Sequence, residues 1–483
     1  MLSWNDILVL LPEIYLVVAI CILLLLDAWL KPSQRNITHW LAIAITVVTG
    51  LLCIFGQPDG AAYAFGGMFV RDGTSEIIKI FGLLAIGLIF VFARPYLRER
   101  KLHIGEFYSL MLFAALGLMI LASAGNLIVV YLGLEMLALA SYTLVAMNRD
   151  SPLSSEAAIK YFVLSALASG MLLYGMSMVY GATGTLDLSQ LAAAAQHVDM
   201  PNVLKFGVIF LIVGVAFELG AAPFHMWLPD VYDGSPTPIT TMIASVSKLG
   251  AFALAYRLLS AFGTEGLLTD QWQLMLAVVA ALSLVIGNLV AIVQTNIKRM
   301  LGYSTIAHMG FLLLGFVAAR DGHGYSAAMF YAVCYALMST AAFGVLLALS
   351  RKGFECDKIS DLKGLNKRAP WMAFLMLLAM FSLAGVPPFW GFYAKVLVLQ
   401  AAIDANMLWL AIVGIVMAII GLWYYLHVIW VMYFEEPEES VELAPQKDHT
   451  LRWVLSINGL ALLGVGIYGW GPLLSWCRAA IGV

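Results

Sequence analysis

The chain has 483 residues, 62% of them apolar and only 11% charged, whereas soluble globular proteins are about half apolar and roughly a quarter charged. So thin a polar coat excludes a water-soluble protein and predicts one embedded in a lipid bilayer. The net charge of −3 gives no ground for a nucleic-acid partner or a basic membrane-surface binder, and Cys21, Cys53, Cys334, Cys356 and Cys477 are scattered without a CxxC pair, which argues against a thiolate cluster or a disulfide framework.

Apolar runs of about 18 residues or more fall near 6–26, 38–57, 75–94, 107–124, 126–147, 159–181, 203–227, 237–262, 272–294, 302–319, 325–349, 371–402, 405–433 and 452–475. They predict an all-α polytopic membrane protein of about 14 transmembrane helices, here called spans 1 to 14. Span 1 contains Glu13, with no basic segment before it and no small-residue cleavage site after it, so it reads as a retained helix, not a signal peptide. The loops left over are too short for a soluble nucleotide-binding or iron–sulfur domain. With the N-terminus outside, seventeen Lys and Arg fall in cytoplasmic loops, among them Arg98, Arg100, Lys298 and Lys367, against five opposite: Arg71, Lys205, Arg257, Arg320 and Arg478. The positive-inside bias therefore predicts both termini on the periplasmic side of a bacterial inner membrane.

The two halves resemble each other. Ala157-Ala158 and Tyr161 with Ala166-Leu167 and Ser169 recur about 170 residues later as Ala327-Ala328, Tyr331, Ala336-Leu337 and Ser339. The interruption Gly220-Ala221-Ala222-Pro223-Phe224-His225 in span 7 returns as Gly385-Val386-Pro387-Pro388-Phe389-Trp390 in span 12. Taken singly, each interruption is a proline kink. Taken as a pair in helices of opposite direction, they predict an inverted repeat with an ion or substrate path near the midplane, where Pro223, Pro387 and Pro388 break the helices.

An ionisable side chain at a span's centre costs about 2.5–3.5 kcal/mol on the mildest scale. The chain nevertheless carries Glu13, Lys79, Glu135, Lys160, Glu218, His225, Lys248, His308, Lys395 and His427 within its spans. Glu13, Lys79 and Lys160 lie near predicted ends, where snorkelling to the interface stands beside burial as an open reading; Glu135, Glu218, Lys248 and Lys395 lie deeper. A lysine whose proton affinity changes as a carboxylate approaches or withdraws is a switchable proton carrier, and His225 and His308 with Ser, Thr and Tyr neighbours would hold waters between carriers. The alternative is buried Lys/Glu pairs that only fix helix packing. No HExxH, GxGxxG, Walker-type loop or nucleophile elbow occurs, so covalent chemistry and a metal site are not expected.

Three runs resemble signatures of the antiporter-like membrane subunits of respiratory complex I: APFHMWLPDVYDGSPTP from Ala222 to Pro238 with Ser247-Lys248 after it, NIKRMLGYSTIAHMG from Asn296 to Gly310, and GVPPFWGFYAK from Gly385 to Lys395. The resemblance covers essentially the whole chain. It implies two inverted five-helix units, spans 4 to 8 (106–265) and 9 to 13 (266–435), after three N-terminal helices (1–105) and before a final loop and helix (436–483). It also implies proton-transfer roles for Glu135, Lys248 and Lys395, and a place for Lys160 and His308 on a central hydrophilic axis. One position departs: where such subunits usually carry a lysine in span 7, this chain has Glu218. Two carboxylates, Glu135 and Glu218, then replace a Glu/Lys pair and would share a proton as a coupled unit, with Glu218 as a carrier and Lys160 or Lys248 supplying the missing positive charge.

The function implied is proton translocation within an NADH:quinone oxidoreductase, with no cofactor on this chain and with FMN, iron–sulfur clusters and quinone on partner subunits. Other membrane subunits and the lipid bilayer are the expected partners. Two competing readings are a subunit of a multi-subunit cation/proton antiporter or membrane-bound hydrogenase, and a scaffold that no longer pumps. The acidic residues Glu435, Glu436, Glu438, Glu439 and Glu442 read as a solvated cytoplasmic loop.

Overall fold

Span 1 is two helices, α1 (Trp4–Val9) and α2 (Leu11–Trp29), in the computed structural model, which describes residues 4–56, 60–102, 104–263, 267–319, 322–437 and 445–483. Arg320, Glu438, Glu439 and Glu442 lie outside these residues. Spans 2 to 6 are α3 (Asn36–Phe55), α4 (Gly73–Glu99), α5 (Gly105–Ala122), α6 (Leu127–Val145) and α7 (Pro152–Thr183), the last followed by a short α8 (Leu188–Ala195). Span 7 is α9 (Pro201–Leu219), a break, and α10 (Trp227–Gly234). After α11 (Thr237–Ser260), α12 (Leu267–Ile292), α13 (Ile297–Val317), α14 (His323–Leu349) and a single turn α15 (Leu365–Arg368), span 12 is likewise divided into α16 (Pro370–Ala384) and α17 (Trp390–Asp404). The chain ends with α18 (Leu408–Phe434), α19 (His449–Tyr468) and α20 (Trp470–Ile481).

Among the described residues, 13 helices are long and apolar enough to cross a membrane. Span 12 completes the predicted fourteen as two half-helices. One span boundary needs correction. Span 14 does not run to 475 but stops at Tyr468, where Gly469 caps it. The loop between spans 2 and 3 holds a hairpin pairing β1 (Ala62–Ala64) with β2 (Phe69–Arg71), too short to show as alternation in the sequence.

A membrane-spanning stretch of α14 is wholly enclosed, and those of α11 and α13 are 94% enclosed, whereas α2, α18 and α19 bury only 33%. The first three form the centre of the bundle; the others form its lipid-facing rim, since a helix apolar on all sides is at home in either setting.

Both five-helix units repeat one clasp. Asn126 caps α6 by accepting from the Ile128 amide at 2.9 Å, and the adjoining backbone pairs Leu127 N to Leu186 O (2.9 Å) and Leu188 N to Gly125 O (3.0 Å). Asn296 caps α13, and there Ile297 N reaches Asp357 O (2.7 Å) and Ile359 N reaches Thr295 O (2.9 Å). The helix pairs behind the clasps pack alike: a Cβ on Gly117 would lie 2.5 Å from Leu137 N, and one on Gly287 would lie 2.6 Å from Ala307 N. The first clasp sits at the bundle end that carries the hairpin, where Gly125 N donates to Met68 O. The second sits at the opposite end, where Asn296 donates to Asp233 and Arg100 meets Glu355. The repeat is therefore inverted.

At the hairpin end, Arg257 of α11 grips Asp72, the N-cap of α4, through two 2.8 Å bonds and also donates to Ala122 O. Burial pushes the Asp72 carboxyl up, but the Arg257 guanidinium prevails and holds it below the ordinary carboxylate range. A depressed folded value means that this contribution is full above the unfolded carboxylate range and is lost as pH falls through the folded value. Asp72→Asn should therefore lower thermal stability at neutral pH and flatten its fall in acid; equal acid sensitivity in variant and parent would count against this linkage.

Lys79 does not snorkel. It is fully buried, with Nζ 2.9 Å from Glu13 of α2 and 3.4 Å from Glu76, which in turn meets Arg71 at 2.9 Å. Four charges thus neutralise one another inside the N-terminal helices, and the sequence position near a span end concealed this because the partner of Lys79 comes from another helix.

Candidate proton-transfer site

The two breaks are built alike. Gly220 and Gly385 end α9 and α16 in the left-handed region, at φ 71° and 83°, which L-residues with a Cβ avoid. Both Ala222–Pro223 and Pro387–Pro388 are cis. Ending a helix in mid-membrane frees its last carbonyls, which need donors where no bulk water is present. In each unit a buried lysine supplies them: Lys248 Nζ donates to Glu218 O (2.9 Å) and Leu219 O (3.1 Å), and Lys395 Nζ to Leu383 O (3.1 Å) and Ala384 O (2.7 Å). Lys248 also lies 4.9 Å above the Trp227 ring and Lys395 5.2 Å from that of Phe311. At the first break Ser283 of α12 accepts from Ala222 N at 2.8 Å, so the second unit holds part of the first unit's gap.

Around the first break, Glu135 accepts a hydrogen bond from Ser169 of α7, whose hydroxyl also meets Tyr131 at 3.1 Å. Glu218 is half-buried and lies within electrostatic reach of both Lys248 and Glu135. Among the described residues neither carboxylate forms an ion pair within 4 Å. Of the two lysines expected to balance Glu218, it is Lys248 that stands beside it. Lys160 is on the exposed face of α7, bound at 2.8 Å to both Glu156 and Asp230, and Asp230 in turn meets Arg299 at 2.7 Å. His225 stands in the break, half-buried, with a buried Nδ1 that finds no hydrogen-bond partner among the described residues. His427 lies off this site, stacked on the exposed Trp423.

Between the breaks lie two hydrogen-bonded groups. Tyr232 of α10 accepts from Thr305, which meets Tyr335 at 2.7 Å. One turn along α13, His308 is fully enclosed and contacts Tyr331 through Nδ1 at 2.6 Å and Tyr425 through Nε2 at 3.0 Å; Tyr425 also bonds Ser304, and its neighbour Tyr424 donates to Asn288 at 3.1 Å. Lys395 is the charged group that acts on His308. Sequence reasoning found His308 but missed these tyrosines. Their signal was present in part: Tyr331 and Tyr335 are four residues apart on one face of α14, and Tyr331 is the repeat counterpart of Tyr161.

The family described as "NADH:quinone oxidoreductase/Mrp antiporter, TM" matches residues 124–421, the stretch that holds both breaks and the residues between them, with Tyr424 and Tyr425 just beyond its end. A protein of Xanthomonas euvesicatoria pv. vesicatoria named NADH-quinone oxidoreductase subunit N is 53% identical over 99% of this chain and 97% of its own length. A chain in the structure of Thermus thermophilus respiratory complex I with bound aureothin superposes with a TM-score of 0.82 at 30% identity, over 96% of this chain and 98% of that one. A chain of the archaeal membrane-bound sulfane sulfur reductase superposes at 0.85 with 25% identity, over 99% and 97%. The fold and the site thus define a multi-pass antiporter-type membrane subunit of respiratory complexes. Within that class, the chain belongs to the NADH-quinone oxidoreductase subunit N family.

Proposed function

We propose that this chain carries protons across a bacterial inner membrane as part of a respiratory NADH:quinone oxidoreductase, with both termini periplasmic. FMN, the iron–sulfur clusters and quinone would reside on partner subunits, and neighbouring membrane subunits would deliver the driving force. The observation that carries this reading is the matched pair of mid-membrane breaks, each capped by a buried lysine, with the hydrogen-bonded groups around Thr305 and around His308 between them. An ammonium has three donors and an amine two, so the bonding at each break depends on whether its lysine holds the proton. Hydroxyls and a neutral imidazole can both give and take a proton. Among the described residues no side-chain hydrogen bond joins Lys248 or Lys395 to either group, or one group to the other, so transfer along this path requires bridging water.

Glu218 replaces the lysine usual at this position and would act as a carrier beside Lys248. In Glu218→Gln, NADH-driven quinone reduction and proton uptake by inverted vesicles are expected to fall together several-fold, with the complex still assembled. Full activity in that variant would leave the first unit to Glu135 and Lys248 alone.

A further inference from the structure

A groove of about 530 Å³ opens on the rim of the bundle, between the start of α16 and the start of α19, lined by Trp371, His449, Arg452, Trp453, Ser456 and Leu460. It lies at the end of the bundle where Lys363 and Lys367 collect, each engaged by Glu435 or Glu436. Arg452, by contrast, is exposed and makes no side-chain ion pair or hydrogen bond among the described residues. We infer that this groove binds an anionic phospholipid, its phosphate between Arg452 and His449 and its acyl chain along α19.

The chemistry of the walls selects that occupant. Trp453 is 71% exposed and Trp371 40%, and indoles with one apolar and one polar edge favour the headgroup level of a bilayer. Below them the exposed Ile457 and Leu460 continue the wall toward the hydrocarbon. Among the described residues no carboxylate lines the groove to receive the ammonium of a zwitterionic lipid. Asp448, just before the groove residue His449, is engaged as the N-cap of α19, accepting from Leu451 N at 3.1 Å. Basic pockets between membrane helices recognise anionic headgroups in this way.

The position gives the lipid a consequence for span 12. Trp371 Nε1 donates to Ser456 at 2.8 Å, tying α16 to α19 at the groove. Further along, a Cβ on Gly459 would meet Leu375 at 2.8 Å, and one on Gly466 would meet Phe389 Cα, beside the break, at 3.0 Å. A lipid seated at the top therefore clamps α19 against the half-helix whose carbonyls Lys395 caps.

The test uses the intact solubilised complex and a photoactivatable phosphatidylglycerol, with the labelled peptides mapped by mass spectrometry. Label is expected on peptides spanning 449–460 and 371, competed by dioleoylphosphatidylglycerol but not by dioleoylphosphatidylcholine or inorganic phosphate. Arg452→Gln should weaken that competition about five-fold, the effect of one basic residue near an anionic headgroup, and Arg452→Lys should restore most of it. Equal competition by phosphatidylcholine, or unchanged competition in both Arg452→Gln and the double variant with His449→Gln, overturns the assignment.

Discussion

Lys395→Ala is expected to lower NADH-dependent quinone reduction and proton uptake together, by about a hundred-fold, the lower range for loss of a positioned proton-transfer group. Two losses coincide in it. The variant removes the one lysine at the second break, and it strips the donor from Leu383 O and Ala384 O, which are buried where water does not replace it. Lys395→Arg separates the two, since a guanidinium can still cap carbonyls but does not release a proton. Arginine should preserve assembly without restoring proton uptake. Undiminished reduction and uptake in Lys395→Ala would shift the balance to a scaffold or a separate antiporter.

The second large effect concerns stability, far from either break. Lys79→Met leaves Glu13 in an apolar setting without its cation, while Arg71 still serves Glu76. Breaking a buried pair from one side costs about 3–5 kcal/mol, enough to reduce the yield and thermal stability of the assembled complex markedly. Adding Glu13→Gln removes the stranded charge and should recover much of that loss. If the double variant is no better than Lys79→Met alone, the pair does not account for the effect.

Much of this was legible before any coordinates. The spans show because apolar length is dictated by bilayer thickness, and the breaks show because glycine and proline act on their own backbone. The inverted repeat followed from the echo at Tyr161 and Tyr331 together with span direction, and the clasps at Asn126 and Asn296 bear it out. Depth along a span revealed that Lys248 and Lys395 are buried. It could not reveal what they bind, because their acceptors exist only once Gly220 and Gly385 turn left-handed. Lys79 stayed open between snorkelling and burial for a related reason: distance from a span end is local information, whereas Glu13 approaches from another helix. Lys160 has an ordinary partner four residues earlier, Glu156, which sequence spacing can suggest; its second partner, Asp230, required the packing of α10 on α7. The tyrosines about His308 come from α14 and α18, while His308 is on α13, and no periodicity within one helix announces such a meeting.

The two lysine caps differ in where they are rooted. Lys248 stands on α11 and reaches across to a break in a different span, whereas Lys395 rises from α17, the other half of the very span whose carbonyls it holds. Sliding of α11 past α9 would stretch the first latch directly, while span 12 can tilt as one piece with its latch shut. A mechanical stroke arriving through the packed helices is therefore felt unequally, and the duplicated architecture has one latch that responds to its neighbours and one that responds to its own bend. That inequality makes the two breaks mechanically distinct even though they are built alike.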